Sequence, residues 1–288
     1  MSSGEPVSAD AHPPALAVRE AVARALAEDL LPMGDLTAGL VPPGTQGRAL
    51  FVARAEGVLA GRRCAEEALR QVDAGLEARW ELDDGSPVKA GAVIGEVRGP
   101  LRSILTAERT ALNFLCHLSG VATLTRRYVD AVRAASASAR VLDTRKTTPG
   151  LRALEKAAVR AGGGHNHRGS LSEGVLVKDN HLGGLTITEA VARARDRWPG
   201  RMLEVECDRV EQVREAIQAG ATMVLLDNMT PAQVAECAQL PRHPPLEVSG
   251  RVGLDDAPRF AMAGADFISV GALTHSAPVL DIGLDLGP

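Results

Sequence analysis

From Arg140 onward the chain alternates short apolar runs with amphipathic segments, and this rhythm restricts the fold more than any other feature. The apolar runs fall at 141–142, 175–177, 202–205, 223–226, 246–248 and 267–270. Helical patterns lie between them at 150–161, 188–198, 209–219, 231–239 and 255–263. Gly220 and Gly264 stand where two of those helices should end. Strand and helix repeated with short connections predict a parallel sheet, closed or nearly closed into a barrel, with a doubly wound open sheet as the alternative. Gly162-Gly163-Gly164 follows a predicted helix, not a strand, so it is no dinucleotide-binding loop.

The part before Arg140 reads differently. Residues 16–31 carry Leu16, Val18, Val22, Leu26 and Leu30 at helical spacing, and Pro32-Met33-Gly34 breaks that helix. Short strand-like pieces follow at 47–60 and 76–97, with a helix over 62–72 and turns at Asp83-Asp84-Gly85 and Lys89-Ala90-Gly91. This is the pattern of an antiparallel sheet with helices. Residues 101–119 predict a helix ending at Gly120, with Arg109 off its apolar stripe, and a second helix follows from Thr123 to Ala135. The expected organisation is a disordered tail over 1–15, an N-terminal domain over 16–118, a barrel domain over 119–275 and a C-terminal segment over 276–288.

Composition excludes several function classes. A net charge of -4 gives no general attraction to nucleic acid or membrane, and 2% aromatic content argues against a base-stacking surface. No run of about 18 apolar residues suggests a membrane span. The polar N-terminus lacks the apolar centre of a signal peptide. Cys64, Cys116, Cys207 and Cys237 are far apart with no metal-type spacing, which reads as reduced thiols in a cytoplasmic protein.

In an α/β barrel the chemistry sits at the carboxyl ends of the strands. Read in order, those ends are Asp143-Thr144-Arg145-Lys146, Lys178-Asp179-Asn180, Glu206, Asp227-Asn228, Ser249-Gly250-Arg251 and Gly271-Ala272. Arg145, Lys146, His167, Arg168 and Lys178 make a cationic side suited to carboxylate and phosphate oxygens. Lys146 and Lys178 are two of only four lysines, in a chain that otherwise uses arginine for positive charge. Glu206 and Asp227 make an acidic side, suited to Mg²⁺, ribose hydroxyls or a developing cation, or else to pairing with nearby arginines. Ser249-Gly250 and Gly271 offer exposed backbone N–H groups of the kind that hold phosphate in barrels. His165 and His167, two apart without cysteine, point to anion binding rather than metal ligation. The ring as a whole implies an anionic, phosphorylated substrate.

Several stretches in sequence order resemble the quinolinate phosphoribosyltransferase family, of the type II phosphoribosyltransferases. They are ALAEDLLPMGDLTA, AERTALNFLCHLSGVAT, DTRKTTPGLRALEKAAVRAGGGHNHR, VLVKDNHL, EVEC, VLLDNM, LEVSG and ISVGALTHSAPVLDIGLDL, from about residue 24 to residue 286. The resemblance implies an N-terminal α/β sandwich followed by an open α/β barrel of about seven parallel strands. It implies a homodimer with the active site at the subunit interface, Arg109 coming from the neighbour. The implied reaction joins quinolinate to phosphoribosyl pyrophosphate, giving nicotinate mononucleotide, pyrophosphate and CO₂ in NAD biosynthesis. Arg109, Arg145, His167, Arg168 and Lys178 would hold the two carboxylates. Thr144 would help line the site. Ser249, Gly250, Arg251, Val270, Gly271 and Ala272 would hold the 5′-phosphate. Lys146, Glu206 and Asp227 would be catalytic, Glu206 and Asp227 also holding the ribose or Mg²⁺, directly or indirectly. Arg251 stands where the family more often has glycine or a small residue. The alternatives are a relative with another acceptor, such as the molybdenum-transport-associated homologues, and a non-catalytic phosphometabolite-binding protein.

Overall fold

The computed structural model describes residues 12–287. In chain order its first elements are α1 (Ala15–Leu30), β1 (Gln46–Ala53), β2 (Gly57–Val58), α2 (Arg62–Val72), β3 (Glu77–Trp80), β4 (Pro87–Val88), β5 (Val93–Pro100) and α3 (Leu101–Ala135). There follow β6 (Arg140–Leu142), α4 (Arg152–Ala161), β7 (Gly174–Val177), α5 (Asp179–Leu182), α6 (Ile187–Arg197), β8 (Met202–Cys207), α7 (Val210–Ala219) and β9 (Met223–Asp227). The last are α8 (Pro231–Ala238), β10 (Leu246–Ser249), α9 (Ala257–Met262), β11 (Phe267–Ser269), α10 (Ala272–His275) and β12 (Ile282–Leu286). Two compact units result. The first takes residues up to Arg126, Thr147–Gly163 and Leu273 onward; the second takes Arg127–Lys146 and Gly164–Ala272. The boundary expected at 118/119 thus falls inside α3, and the segment 147–163 groups with the first unit.

The first unit is built on an antiparallel sheet of order β12-β1-β5-β3, with a separate β2-β4 ribbon. The C-terminal strand β12 pairs with β1 from Ala49↔Leu286 to Ala53↔Ile282. Phe51, Ile94 and Val97 are fully buried, and the Phe51 ring stacks on Trp80 at 5.0 Å between centroids. Of the tail expected to be disordered, residues 1–11 lie outside the described ones. His12–Pro14 are held in place: Pro13 is buried, and the His12 carbonyl accepts a hydrogen bond from Arg160 Nη2 at 3.2 Å.

The two helices expected over 101–119 and 123–135 are one helix of 35 residues. Gly120 is not its stop. A Cβ built there would lie 2.1 Å from the Pro278 carbonyl oxygen. The glycine exists to let a backbone segment pass close against the helix, a role that has nothing to do with ending it.

The second unit holds a six-stranded parallel sheet of order β6-β11-β10-β9-β8-β7. A single parallel bridge from Leu142 to His165 adds a seventh, minimal strand beside β6. Helices follow the strands as the rhythm predicts. Thr186 and Thr230 cap α6 and α8 with reciprocal bonds to Glu189 and Gln233, and Gly220 ends α7 in the left-handed conformation at φ 81°. The sheet curls. Strands β8 and β10 are separated by β9, yet Glu204 and Glu247 both reach one nitrogen of His167, at 3.0 and 3.3 Å. His165 is bridged to β6 at one edge of the sheet, yet two residues on, His167 reaches Glu204 on β8, four strands across, so the sheet curls into an open barrel.

Candidate active site

Alternate residues of a strand share one face. Leu176 and Lys178, Glu204 and Glu206, Leu225 and Asp227, Glu247 and Ser249 are such pairs, and their outer members stand at the strand ends. Lys178, Glu206, Asp227 and Ser249 line one cavity of about 560 Å³ together with Thr144, Arg145, Lys146, His167, Arg168, Asn228, Gly250 and Arg251. Most of the ring read from the sequence is therefore brought together within the second unit. Val270, Gly271 and Ala272 do not line this cavity, and the Val270 N–H donates to the Leu142 carbonyl at 3.0 Å. Arg109 is exposed on α3 in the first unit.

Hydrogen bonds fix the cationic wall. Asp143, with no exposed surface, ends β6 and accepts the His167 N–H at 2.9 Å, tying the 165–168 loop to that strand. Thr144 Oγ1 accepts the Lys146 N–H at 3.0 Å and turns the chain so that Lys146 stays exposed. Arg168 Nη1 donates to the Gly174 carbonyl at 2.8 Å. Burial, and then the neighbouring Arg145, lower the Arg168 pKa. Two guanidiniums facing one cavity are a mutual repulsion that a bound anion relieves.

The acidic side is adjacent. Asp227 and Ser249 are register partners on β9 and β10. Asp227 Oδ2 accepts from Asn228 Nδ2 at 2.7 Å, and Glu206 pairs with Lys178 Nζ. The loop after β10 has a tight path. A Cβ on Gly250, which has φ 105°, would lie 2.4 Å from Asn228 Oδ1. Arg251 follows with φ 50°, the left-handed region that favours glycine. Arg251 adopts that conformation with a long side chain at the cavity edge.

Beneath this ring lie two carboxylates that sequence reasoning passed over. Glu204 and Glu247 sit inside the runs 202–205 and 246–248, taken as apolar, and are 0% and 1% exposed. The signal was present: an acid within a buried strand needs a partner. The partner is His167. Burial alone would lower its pKa, but the hydrogen bond to Glu204 and the Glu247 carboxylate 3.3 Å away outweigh burial, so the cluster holds a proton up to about 10. Burial, with Glu247 nearby, raises Glu204 to about 7. Because the Arg168 N–H points at Nδ1, the ring hydrogen is on Nε2, and the further proton that the trio keeps at neutral pH lies on the carboxylates. Ser269 Oγ donates to Glu247 Oε1 at 2.6 Å.

An open α/β barrel with adjacent guanidiniums and two lysines over its strand ends, faced by carboxylates, is a site for a small polyanion at the place where barrel enzymes carry their chemistry. The chain belongs to the quinolinate phosphoribosyl transferase family: residues 35–119 match its N-terminal domain and residues 121–285 its C-terminal domain. It is 43% identical over 278 residues to the nicotinate-nucleotide pyrophosphorylase [carboxylating] of Mycobacterium leprae (strain TN), covering 94% of this chain and 97% of that protein. It is 42% identical over 258 residues to the probable nicotinate-nucleotide pyrophosphorylase [carboxylating] of Bacillus subtilis (strain 168), covering 88% of each. The solved structure of the nicotinate-nucleotide pyrophosphorylase from Francisella tularensis superimposes with a TM-score of 0.91 at 38% identity, over 98% of this chain and 100% of that one.

Proposed function

We propose that this chain transfers the phosphoribosyl group of phosphoribosyl pyrophosphate to quinolinate with decarboxylation, giving nicotinate mononucleotide, pyrophosphate and CO₂. The observation that carries the reading is the single cavity in which Arg145, Lys146, Arg168 and Lys178 face Glu206 and Asp227. Family membership over both domains supports it.

Quinolinate brings two carboxylates, and Arg145, Arg168 and Lys178 supply donors for them. Arg109, exposed on α3, is the further cation, reaching the cavity from a second copy in a homodimer. The ring nitrogen attacks the ribose carbon as its bond to pyrophosphate breaks. Glu206 and Asp227 hold the ribose and stabilise the positive charge that develops there, while Lys146 meets the departing phosphates. The Gly250–Arg251 turn takes the 5′-phosphate. The nitrogen, now quaternary, draws in the electron pair released with CO₂, and a proton then fills the vacated carbon. No general base is required for either bond change.

Mg²⁺ fits the donor set. Among the described residues Glu206 Oε1 and Asp227 Oδ1 carry no protein hydrogen bond, and both acids line the cavity. Hard carboxylate oxygens that share a site with substrate phosphates are what Mg²⁺ prefers. When bound, the ion supplies charge neutralisation on the pyrophosphate. Four free cysteines support a reducing, cytoplasmic setting, and no helix among the described residues is long and apolar enough to cross a membrane.

The test is incubation of purified protein with quinolinate, phosphoribosyl pyrophosphate and Mg²⁺, with nicotinate mononucleotide read by chromatography. Product formation is expected. Product from nicotinate but not quinolinate would favour a relative with another acceptor; binding without turnover would favour a phosphometabolite-binding protein.

A further inference from the structure

His167 sits at the cavity floor, yet both of its ring nitrogens already face protein groups. Nε2 is 3.0 Å from Glu204 Oε2 and 3.3 Å from Glu247 Oε2. Nδ1 accepts the backbone N–H of Arg168 at 2.8 Å. A backbone amide can only donate, so Nδ1 presents its lone pair and the ring hydrogen is on Nε2. The side chain is 7% exposed. Ser269 holds Glu247 from the other side through its Oε1.

We propose that His167, Glu204, Glu247 and Ser269 form a positioning unit for Arg168, in which the imidazole orients the arginine's main chain through Nδ1. The chain of contacts runs from β11 through Ser269 to Glu247 on β10, joins Glu204 on β8 at Nε2, crosses the imidazole, and ends on the Arg168 amide. Arg168 is then held at two points, its N–H by His167 and its guanidinium by the Gly174 carbonyl at the start of β7. Four strands and a loop thus converge to set one guanidinium, whose orientation must match a planar carboxylate. A divalent cation is the other occupant three such donors suit, their ligand atoms lying within 4.8 Å of one another. The ring nitrogen already at hydrogen-bonding distance from Glu204 favours the hydrogen-bonded arrangement.

The inference rests on the proposed reaction only for its kinetic arm. The first measurement needs no substrate: nitrogen-15 NMR of the histidine rings in the full-length protein at neutral pH. His167, assigned by its loss in His167→Gln, should show an unprotonated Nδ1 and a protonated Nε2. Adding pyridine-2,3-dicarboxylate should leave the Nδ1 signal in place. A protonated Nδ1, or a large Nδ1 shift on adding the dicarboxylate, overturns the proposal. So does one divalent ion per chain that survives dialysis and is lost in Glu247→Gln. The kinetic arm uses Ser269→Ala and Glu247→Gln, the serine variant being the milder should the other fail to fold. Both should raise KM for quinolinate roughly 10- to 100-fold while kcat and KM for phosphoribosyl pyrophosphate move less than about twofold. A fall in kcat at unchanged quinolinate KM, with the full amount of folded protein by circular dichroism, counts against a positioning role. If the protein is inert towards quinolinate, the ring-nitrogen measurement still decides the matter.

Discussion

Lys178 and Glu206 form an ion pair across the adjacent parallel strands β7 and β8, at the carboxyl ends of both. The cation that an acceptor carboxylate would use in the proposed reaction therefore already has a counterion in Glu206. In the proposed reaction, binding would exchange one anion for another at Lys178 and leave Glu206 free to turn towards the developing positive charge.

Replacing Lys178 with alanine should weaken quinolinate use by about 1.5–3 kcal/mol, roughly 10- to 150-fold in kcat/KM, the worth of a hydrogen bond to a charged group. Arg109→Ala should act in the same direction. Both residues are at least partly exposed, so melting temperatures should stay close to that of the parent protein. Unchanged kinetics in both variants would remove the carboxylate-clamp reading.

Gly120→Ala should destabilise the protein, although glycine to alanine inside a helix normally stabilises by about 0.5–1 kcal/mol. The added methyl meets the Pro278 carbonyl, and overpacking of this kind costs about 1–3 kcal/mol. Urea unfolding of the two proteins decides the sign.

Asp143→Ala should cost about 1–3 kcal/mol, because it strips a fully buried acceptor from the His167 N–H. Activity should fall further than stability, since the 165–168 loop carries Arg168. Denaturant titration and steady-state assays on the same preparation separate the two effects.

Stability should decline on the alkaline side. A free imidazole loses its proton near 6.5, whereas the cluster around His167 keeps one until about 10. A pKa raised in the fold contributes stability that is complete below the unfolded value and is lost as pH rises through the folded one. The expected slope therefore lies between pH 6.5 and 10, each unit of displacement being worth about 1.4 kcal/mol. Thermal unfolding across that range should show it, and His167→Gln should flatten it.

The barrel was legible because its strands and helices differ in period, and because polar residues cluster where each apolar run stops. That logic alone places Lys178, Glu206, Asp227 and Ser249 around one cavity. It failed at Glu204 and Glu247 for a physical reason. A run is recognised as a strand by its apolar majority, so two acids were absorbed into their neighbours' hydrophobicity, although a buried acid is the more informative residue. It failed at Gly120 because the cause of that glycine, the Pro278 backbone, lies far along the chain, where no local pattern registers it. The backbone strain at Arg251 was likewise invisible, since φ is a property of the loop's path and not of the residue's type.

The pairing of β12 with β1 bears on how such a chain is made. The first sheet to emerge during synthesis is missing an edge strand, and that strand comes from residues 282–286. Until those residues are available, the edge of β1 from Ala49 to Ala53 offers unpaired main-chain groups to any passing strand. Both compact units are assembled from separated pieces of chain, so neither can be finished before the next is begun. A C-terminal nonsense mutation or proteolytic clip that removes β12 would leave that edge open to aggregation while sparing every residue of the cavity.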